Sequence, residues 1–371
     1  MNPQTELKIP VTQGIKYAGS KLKLLPHILH LAQQTKAKTV LDGFAGTTHV
    51  SQSFAQSGYK VTCSDVSVWS EIFGLCYLKN CKSEEFYRQI IEHLNDLPPQ
   101  DGWFSEHYGG LPSGKSSSEN DGFKKPWQIH NTRKLDAIRA EIDNLNLEKV
   151  AKAVVLTSLI LALDSVDSTL GHYAAYLNEW SPRSFNRMKL KVPRLFESSA
   201  EHEVLRRDIF ETIENSEFDL AYFDPPYGSN NEKMPPSRVR YAAYYHIWTS
   251  VIINDKPEIF GKAKRRSDTS DANSGSVFEE FRKNEADNFI AIEAIEKLLV
   301  KTNAKHIILS YSSGGRATSE HLHEILHKSG KIVEFQKVDY RQNVMSAMRW
   351  TNDWIRESET VNQEYLFLIE R

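Results

Sequence analysis

Asp224, Pro225, Pro226 and Tyr227 are the residues whose types and spacing most directly suggest chemistry in this 371-residue chain. They follow Phe218–Phe223, a short, mostly apolar run rich in aromatics, within the stretch FDLAYFDPPYG. Such a run suits a buried strand of a parallel sheet, although periodicity alone also permits a helix. The two prolines fix φ and end any strand, and Gly228 lets the chain turn. A carboxylate and an aromatic ring are thereby held a few residues apart on stiff backbone. The predicted position is the carboxyl edge of a sheet, where open α/β sheets bind ligands. As a bare tetrapeptide the motif reads equally as a plain turn; the preceding strand gives it weight.

A second constellation lies earlier. Lys38–Phe44 (KTVLDGF) reads as a short strand running into AGTT, then a helix (HVSQSFAQSG), then a second strand (YKVTCSD) ending in Asp65. This strand–loop–helix–strand unit carries an acid nineteen residues after Gly46. That arrangement suits a nucleoside: backbone passes close at the glycines, and the acid hydrogen-bonds ribose hydroxyls. Only Gly43 and Gly46 are present in the loop, so it is not the G-x-G-x-x-G of a dinucleotide site, whose pyrophosphate needs more clearance at the helix start. S-adenosylmethionine has no phosphate and tolerates such a loop. The alternative is a purely structural crossover. Asp208 follows another short apolar stretch, in EVLRRDIFE.

The elements that must position these residues come from composition and pattern. Hydrophobic residues make up 40% of the chain, charged residues 25%, and net charge is −2, so it reads as globular with no global signal of a polyanionic partner. Cys63, Cys76 and Cys81 are odd in number and lack paired metal-ligand spacing, which suggests reduced thiols in a cytoplasmic protein. The first ten residues lack a signal pattern, and the longest apolar stretch, 153–163, is too short to span a bilayer, so no membrane association is expected. Leu22, Leu25, Ile28, Leu29 and Ala32 share one helical face, with Ser20 as a cap and Pro26 delaying or kinking the start.

Beyond Val66 the pattern changes. The segment from Pro98 to Trp127, with seven glycines or serines within 109–118, lacks periodicity and predicts a mobile loop. Its Trp103, Phe104, Phe123 and Trp127 either stack on bases or pin the loop down. Thr132–Asn144 reads as a surface helix and Ala151–Asp164 as a buried one. Arg183, Arg187, Lys189, Lys191 and Arg194 then alternate with Tyr176, Trp180 and Phe185, as on a nucleic-acid face or a solvated surface. Tyr241, Tyr244, Tyr245 and Trp248 fall at core spacing. Lys262, Lys264, Arg265 and Arg266 form a basic loop that touches phosphates or is a solvated linker. Helices over 288–300 and 319–329 alternate with strands over 306–311, 331–338 and 364–369. The last two strands, separated by a basic loop with Arg341, Arg349 and Arg356, predict an antiparallel pair closing a mostly parallel sheet.

Together these pieces resemble the Dam-type family of adenine-specific DNA methyltransferases, over most of the chain. KYAGSK (residues 16–21) is similar to the family's N-terminal cofactor motif, LDGFAGT (41–47) to its cofactor loop, and Asp224–Tyr227 to its catalytic motif. GHYAAYL, YAAYYHIW, IILSYSSGG and EYLFLIE resemble it too. The loop departs in its Asp-Gly-Phe start, where Glu-Pro-Phe or Asp-Pro-Phe is commoner. The resemblance implies a Rossmann-like α/β fold, with residues 1–78 and 200–371 catalytic and a mainly helical insert, 79–199, for target recognition. It implies S-adenosylmethionine as cofactor, held by Tyr17, Lys21, Asp42, Phe44, Gly46, Asp65, Asp208 and Asp224. Asp65 would bind ribose, and Asp208 the cofactor adenine. Double-stranded DNA is the implied substrate, with a cognate restriction endonuclease as a further partner. Catalysis would fall to Asp224, Pro225, Pro226 and Tyr227 acting on a flipped-out adenine amino group. Methylation of the cytosine amino group, or of adenine in RNA, is the alternative within the same chemistry; an inactive methyltransferase fold that only binds nucleic acid is a third.

Overall fold

Seven segments pair into one sheet in the computed structural model, which is described here for residues 8–227, 240–270, 275–280, 282–339 and 363–371. They are β1 (Thr39–Asp42), β2 (Lys60–Asp65), β3 (Glu203–Arg206), β4 (Phe218–Phe223), β5 (Ala304–Ser312), β6 (Lys331–Asp339) and β7 (Gln363–Glu370). Their order across the sheet is β6-β7-β5-β4-β1-β2-β3. β3, β2, β1, β4 and β5 run parallel. β7 is antiparallel to both its neighbours, β5 and β6. The expected antiparallel pair is present, and β7 slots between β5 and β6.

Alternation along the strands feeds two layers of helices, because successive side chains point to opposite faces. Ala221, Phe223, Ile307, Leu309 and Phe367 pack on one side with α8 (Ile209–Ile213), α10 (Ile290–Lys301) and α11 (Ser319–Ser329). Val40, Val61, Leu220, Tyr222 and Leu366 pack on the other with α1 (Leu25–Gln34) and α2 (His49–Gln56). Strands buried on both faces explain the near-continuous apolar runs in the sequence. The result is a mostly parallel, Rossmann-like α/β sheet.

A third core lies beside it. α3 (Val68–Leu78), α4 (Glu84–Asp96), α5 (Trp103–Tyr108), α6 (Ile129–Asn144), α7 (Lys149–Ser165) and α9 (His246–Ile253) share one apolar cluster. The inserted region therefore has no packing break at residue 78; it is continuous with α3 and α9.

Several expectations are corrected. Ser20 caps no helix: a 3-10 turn spans Leu22–Leu24, and α1 begins at Leu25 with Pro26 in its first turn, where the missing N–H costs nothing. The segment 98–127 contains α5 and a short helix at Ser118–Asp121, pinned by buried Phe104 and Trp127. α6 is no surface helix, since Leu135, Ile138, Arg139 and Ile142 are all buried. Gly228 and the basic loop with Arg341, Arg349 and Arg356 lie outside the described residues. Among the described residues no helix is long and apolar enough to cross a membrane. The three cysteines are free, with Cys63 and Cys76 buried and Cys81 exposed.

Candidate active site

The chain runs outward from β1 through β2 to β3, then returns to the far side of β1 with β4. β1 and β4 thus flank the point where strand order reverses, and a crevice opens outside their carboxyl ends. Asp42 ends β1, opposite Tyr222 of β4, and Asp224 comes immediately after β4. Their placement at the edge of a buried strand pair follows from the apolar runs that precede them. The crevice is a cleft of about 590 Å³ lined by Tyr17, Phe44, Gly46, Asp65, Asp208 and Asp224–Tyr227, among others. Lys21 and Asp42 line a small recess that continues from it past Asp224 and Gly46.

The N-terminal segment crosses this edge. Tyr17 stacks on Tyr245 at 4.4 Å and on Tyr241 at 5.4 Å. The Ala18 N–H donates to the Tyr245 hydroxyl at 2.7 Å, which in turn donates to the Gly171 carbonyl. Two members of the core-spaced tyrosine stripe therefore serve the site, a role their helical period alone did not reveal. Lys21 is buried, and its ammonium lies 3.0 Å from Asp224 Oδ1 and 3.3 Å from Glu364 Oε1. The Tyr227 hydroxyl donates to Glu364 Oε1 at 3.1 Å, and its ring leans on Tyr311 at 5.3 Å. Glu364 is the functional candidate that sequence reasoning missed. The available signal was an acid heading the buried run YLFLI, which an edge position alone would not require.

Asp65 and two glycines shape the other end of the cleft. Asp65 Oδ2 accepts the Gly46 N–H at 2.9 Å, while Oδ1 accepts both the N–H and the hydroxyl of Ser67. Oδ2 keeps a lone pair for a ribose hydroxyl. Gly46 has φ +51°, and a Cβ there would come within 3.2 Å of the Tyr17 ring. A Cβ on Gly43 would sit 2.7 Å from the Phe223 ring, so both glycines allow close packing under the loop. Phe44 meets Phe223 and Phe278 edge-on, and with Ile209 and Phe278 it gives the cleft an apolar wall. Asp208 caps α8, accepting the Phe210 N–H at 2.8 Å, and also lines the cleft.

Carboxylates dominate the electrostatics. Burial pushes the Asp224 carboxyl up to about 7; Lys21 opposes that rise and Glu364 adds to it. Burial likewise lifts Asp42 to about 7, against the Ser51 hydroxyl that donates to it at 2.6 Å. Asp65 is raised by burial and held back by Ser67 and Gly46. Burial disfavours the Lys21 ammonium, but Asp224, Tyr227 and Glu364 outweigh it and keep it charged. Asp42 Oδ1 is buried with no hydrogen-bond partner, and Asp224 Oδ1 has no aligned donor despite its ion pair with Lys21. Orphaned acid oxygens beside a ribose-type carboxylate and an apolar slot fit a cationic nucleoside, as S-adenosylmethionine is.

The basic residues expected at a nucleic-acid face turn to protein or to solvent. Arg183 donates to the buried carboxylate of Asp167 and to the carbonyls of Asp167 and Thr169, so it clamps the fold. Arg266 lines the cleft, but it is buried and paired with Asp255 and Asp268. Arg187, Lys189, Lys191 and Arg194 are exposed. Met188 and Leu190, between the first three, are buried.

Comparison with known proteins agrees with this geometry. A family model described as "D12 class N6 adenine-specific DNA methyltransferase" matches residues 17–313. The chain is 28% identical to modification methylase StsI of Streptococcus sanguinis, over 88% of this chain and 48% of that one. It is 27% identical to type II methyltransferase M.NlaIII of Neisseria lactamica, over 96% and 99%. It is 26% identical to type II methyltransferase M.FokI of Planomicrobium okeanokoites, over 96% and 53%. The chain thus spans about half of StsI and M.FokI and nearly all of M.NlaIII. It belongs to the D12 class of N6 adenine-specific DNA methyltransferases.

Proposed function

We propose that this chain methylates the N6 amino group of adenine in double-stranded DNA, with S-adenosylmethionine as donor. The observation that carries the reading is the cleft at the β1–β4 switch point, where Asp224, Lys21 and Tyr227 meet Asp65 and Asp42. When bound, S-adenosylmethionine supplies an electrophilic methyl group. Asp65 suits the ribose hydroxyls, Phe44, Ile209 and Phe278 the adenine, with Asp208 at its edge, and the orphaned Asp42 oxygen the ammonium. Tyr17 and Gly46 shape the loop between them.

The target nitrogen is a poor nucleophile because its lone pair is delocalised into the ring. With the Asp224 carboxylate and the Pro225 carbonyl each accepting one amino hydrogen, the nitrogen is biased towards tetrahedral geometry. Its lone pair is then freed, and the developing positive charge finds a preorganised acceptor. Pro225 and Pro226 stiffen that acceptor pair. Lys21 keeps the Asp224 carboxylate turned and partly balanced. A base within a duplex cannot reach this cleft, so it must be flipped out, and the Tyr227 ring offers it a stacking face.

Residues 79–199 are assigned to target recognition, with the exposed Arg187, Lys189 and Lys191 tracking phosphates. A restriction endonuclease that reads the same site is the partner implied by such a modification enzyme. Mapping modified bases by sequencing DNA from cells that express the chain tests the reading, since it reports base, position and motif together. N6-methyladenine at one recurring motif, lost in Asp224→Ala, is the expected result. Methylated cytosine at such a motif, or no modification with cofactor still bound, would overturn it.

A further inference from the structure

We infer that Glu364 is a positioning residue for this reaction: from the adjacent antiparallel strand it fixes the Tyr227 hydroxyl and the Lys21 ammonium, and through them the orientation of the stacking ring and of the Asp224 carboxylate. The inference rests on the adenine-methylation reading above and extends it to a residue given no role there. Its basis is topological first. β7 runs against the parallel strands, so its opening residues stand at their carboxyl edge. Glu364 pairs with Ser312 at the very end of β5. Tyr365, Phe367 and Ile369 go to the apolar layer on one side, and Leu366 and Leu368 to the layer on the other. Glu364 is the acid that this reversed strand delivers to the active edge.

Its contacts are specific. Glu364 is 6% exposed; Oε1 accepts from the Tyr227 hydroxyl at 3.1 Å and lies 3.3 Å from Lys21, while Oε2 is buried without a partner. Lys21 therefore bridges two carboxylates, with Asp224 at 3.0 Å on its other side. A buried charge with an unmet oxygen is costly, and for stability alone an apolar residue would serve as well. What an apolar residue cannot do is hold a phenol and an ammonium in register with Asp224. Tyr227 has two further loose ends: it follows two prolines that give its backbone no N–H ladder, and its ring contact with Tyr311 is a tilted one. The hydroxyl anchor is what fixes where the far end of the ring lies.

The groups that face Asp224 are Lys21 from the N-terminal segment, Asp42 from β1, Tyr222 and Tyr227 from β4 and its extension, Tyr241 from the short helix Tyr241–Tyr244 before α9, and Glu364 from β7. Of these, Glu364 and Asp42 are the acids that raise Asp224 or are raised by it. Removing the Glu364 charge must therefore move the Asp224 titration to lower pH, an effect with no counterpart if Glu364 merely packs.

The test is Glu364→Gln, an isosteric change that keeps an acceptor for Tyr227, in the full chain. At a pH above the Asp224 midpoint, single-turnover methylation of duplex DNA should slow roughly five- to tenfold, the difference between a charge-assisted and a neutral hydrogen bond, with cofactor affinity held. The effect should shrink in a Tyr227→Phe background. Carbon-13 NMR of the Asp224 carboxyl, assigned with Asp224→Asn, should show a lower midpoint in Glu364→Gln and a recovered one in Glu364→Asp, which keeps the charge. A wild-type rate with an unmoved midpoint overturns the inference. So does a lowered melting temperature accompanied by an equal loss in both backgrounds and an unmoved midpoint. A wild type that methylates no adenine sinks the assigned reaction instead, and the carboxyl titration still decides whether Glu364 acts on Asp224.

Discussion

The acids of the cleft and the cations in and around the third core look alike in sequence, each a scatter of charges among aromatics, and the fold uses them in opposite ways. Asp42, Asp65 and Asp224 are partly or wholly buried, yet each is aimed at a cavity, and Asp42 and Asp224 keep an oxygen without an aligned donor. Arg139, Arg183 and Arg266 are aimed at protein. Arg139 donates to the carbonyls of Val251 and Ile252, Arg183 to the Asp167 hub, and Arg266 to Asp255 and Asp268. A charge at a strand's carboxyl edge is stranded by the topology and so remains for a ligand. A charge on a helix or loop in the third core can reach carbonyls and counter-ions, and it is absorbed.

The comparison breaks most visibly at Asp224. Asp224→Ala removes one of two acceptors for the target amino group, and the developing cation loses its nearest negative charge. The methyl-transfer rate should fall at least about 10²-fold, as on removal of one preorganised group at a reacting centre. Asp224→Asn keeps a carbonyl acceptor and should retain more activity. Single-turnover assays at saturating cofactor, with folding checked by melting, read both. An alanine variant near the wild-type rate would remove Asp224 from the chemistry; equal loss in both would instead favour a general base.

Asp65→Ala sharpens the other half of the cleft. It should weaken S-adenosylmethionine binding by about 1.5–3 kcal/mol, the range for hydrogen bonds to a charged group, and leave DNA binding intact. Calorimetry gives the number, and an unchanged dissociation constant takes Asp65 out of the ribose site. Because Asp65 also anchors the Gly46 and Ser67 N–H groups, Asp65→Asn is the control for loop collapse.

Protonation supplies a graded version of the first test. Burial lifts the Asp224 carboxyl to about 7, so below that pH the neutral acid predominates, and it offers neither the charge nor two free acceptor oxygens. The single-turnover rate should rise with pH through about 7 and level off above it, falling about tenfold per unit on the acid side. A flat profile from pH 5 to 8, with the protein folded throughout, would mean that ionised Asp224 is not required.

How much of this was legible follows from the same contrast. Strand ends carry local signatures: the apolar run Phe218–Phe223 with its two prolines, and the run into Asp65, located the cleft almost to the residue. Tyr17, Lys21, Phe44, Gly46 and Asp208 all line it or its recess. Glu364 was only faintly legible, as an acid heading a buried run, because its place depends on the long-range pairing that sets β7 backwards between β5 and β6. Arg183 was misleading because Asp167, its partner sixteen residues earlier, announces nothing by spacing. Tyr241 and Tyr245 were read as core at helical period, and Tyr245 is buried; that they also stack under Tyr17 depends on a segment more than two hundred residues away.

The smallest effect gives the finest discrimination. Asp167 is fully buried, and it accepts from Lys16 at 2.8 Å, from Arg183 and from the Thr169 hydroxyl. Arg183→Ala strips one of these donors but leaves Lys16 in place. Arg183 is itself 38% exposed, so the loss is discounted for solvent, to about 1–2 kcal/mol of stability. Because its guanidinium faces protein, no counterion release depends on it, and the salt dependence of DNA binding should not change. Arg187, Lys189 and Lys191 face the other way: they are exposed, and the intervening Met188 and Leu190 anchor the segment, with backbone N–H groups donating to Asn131 and Asn95. Replacing those three with alanine should leave melting unchanged. It should flatten the log–log salt slope by about 0.9 for each phosphate that is no longer neutralised. If instead Arg183→Ala flattens the slope without lowering the melting temperature, the guanidinium leaves Asp167 to meet DNA, and the division between absorbed cations and stranded acids fails at that residue.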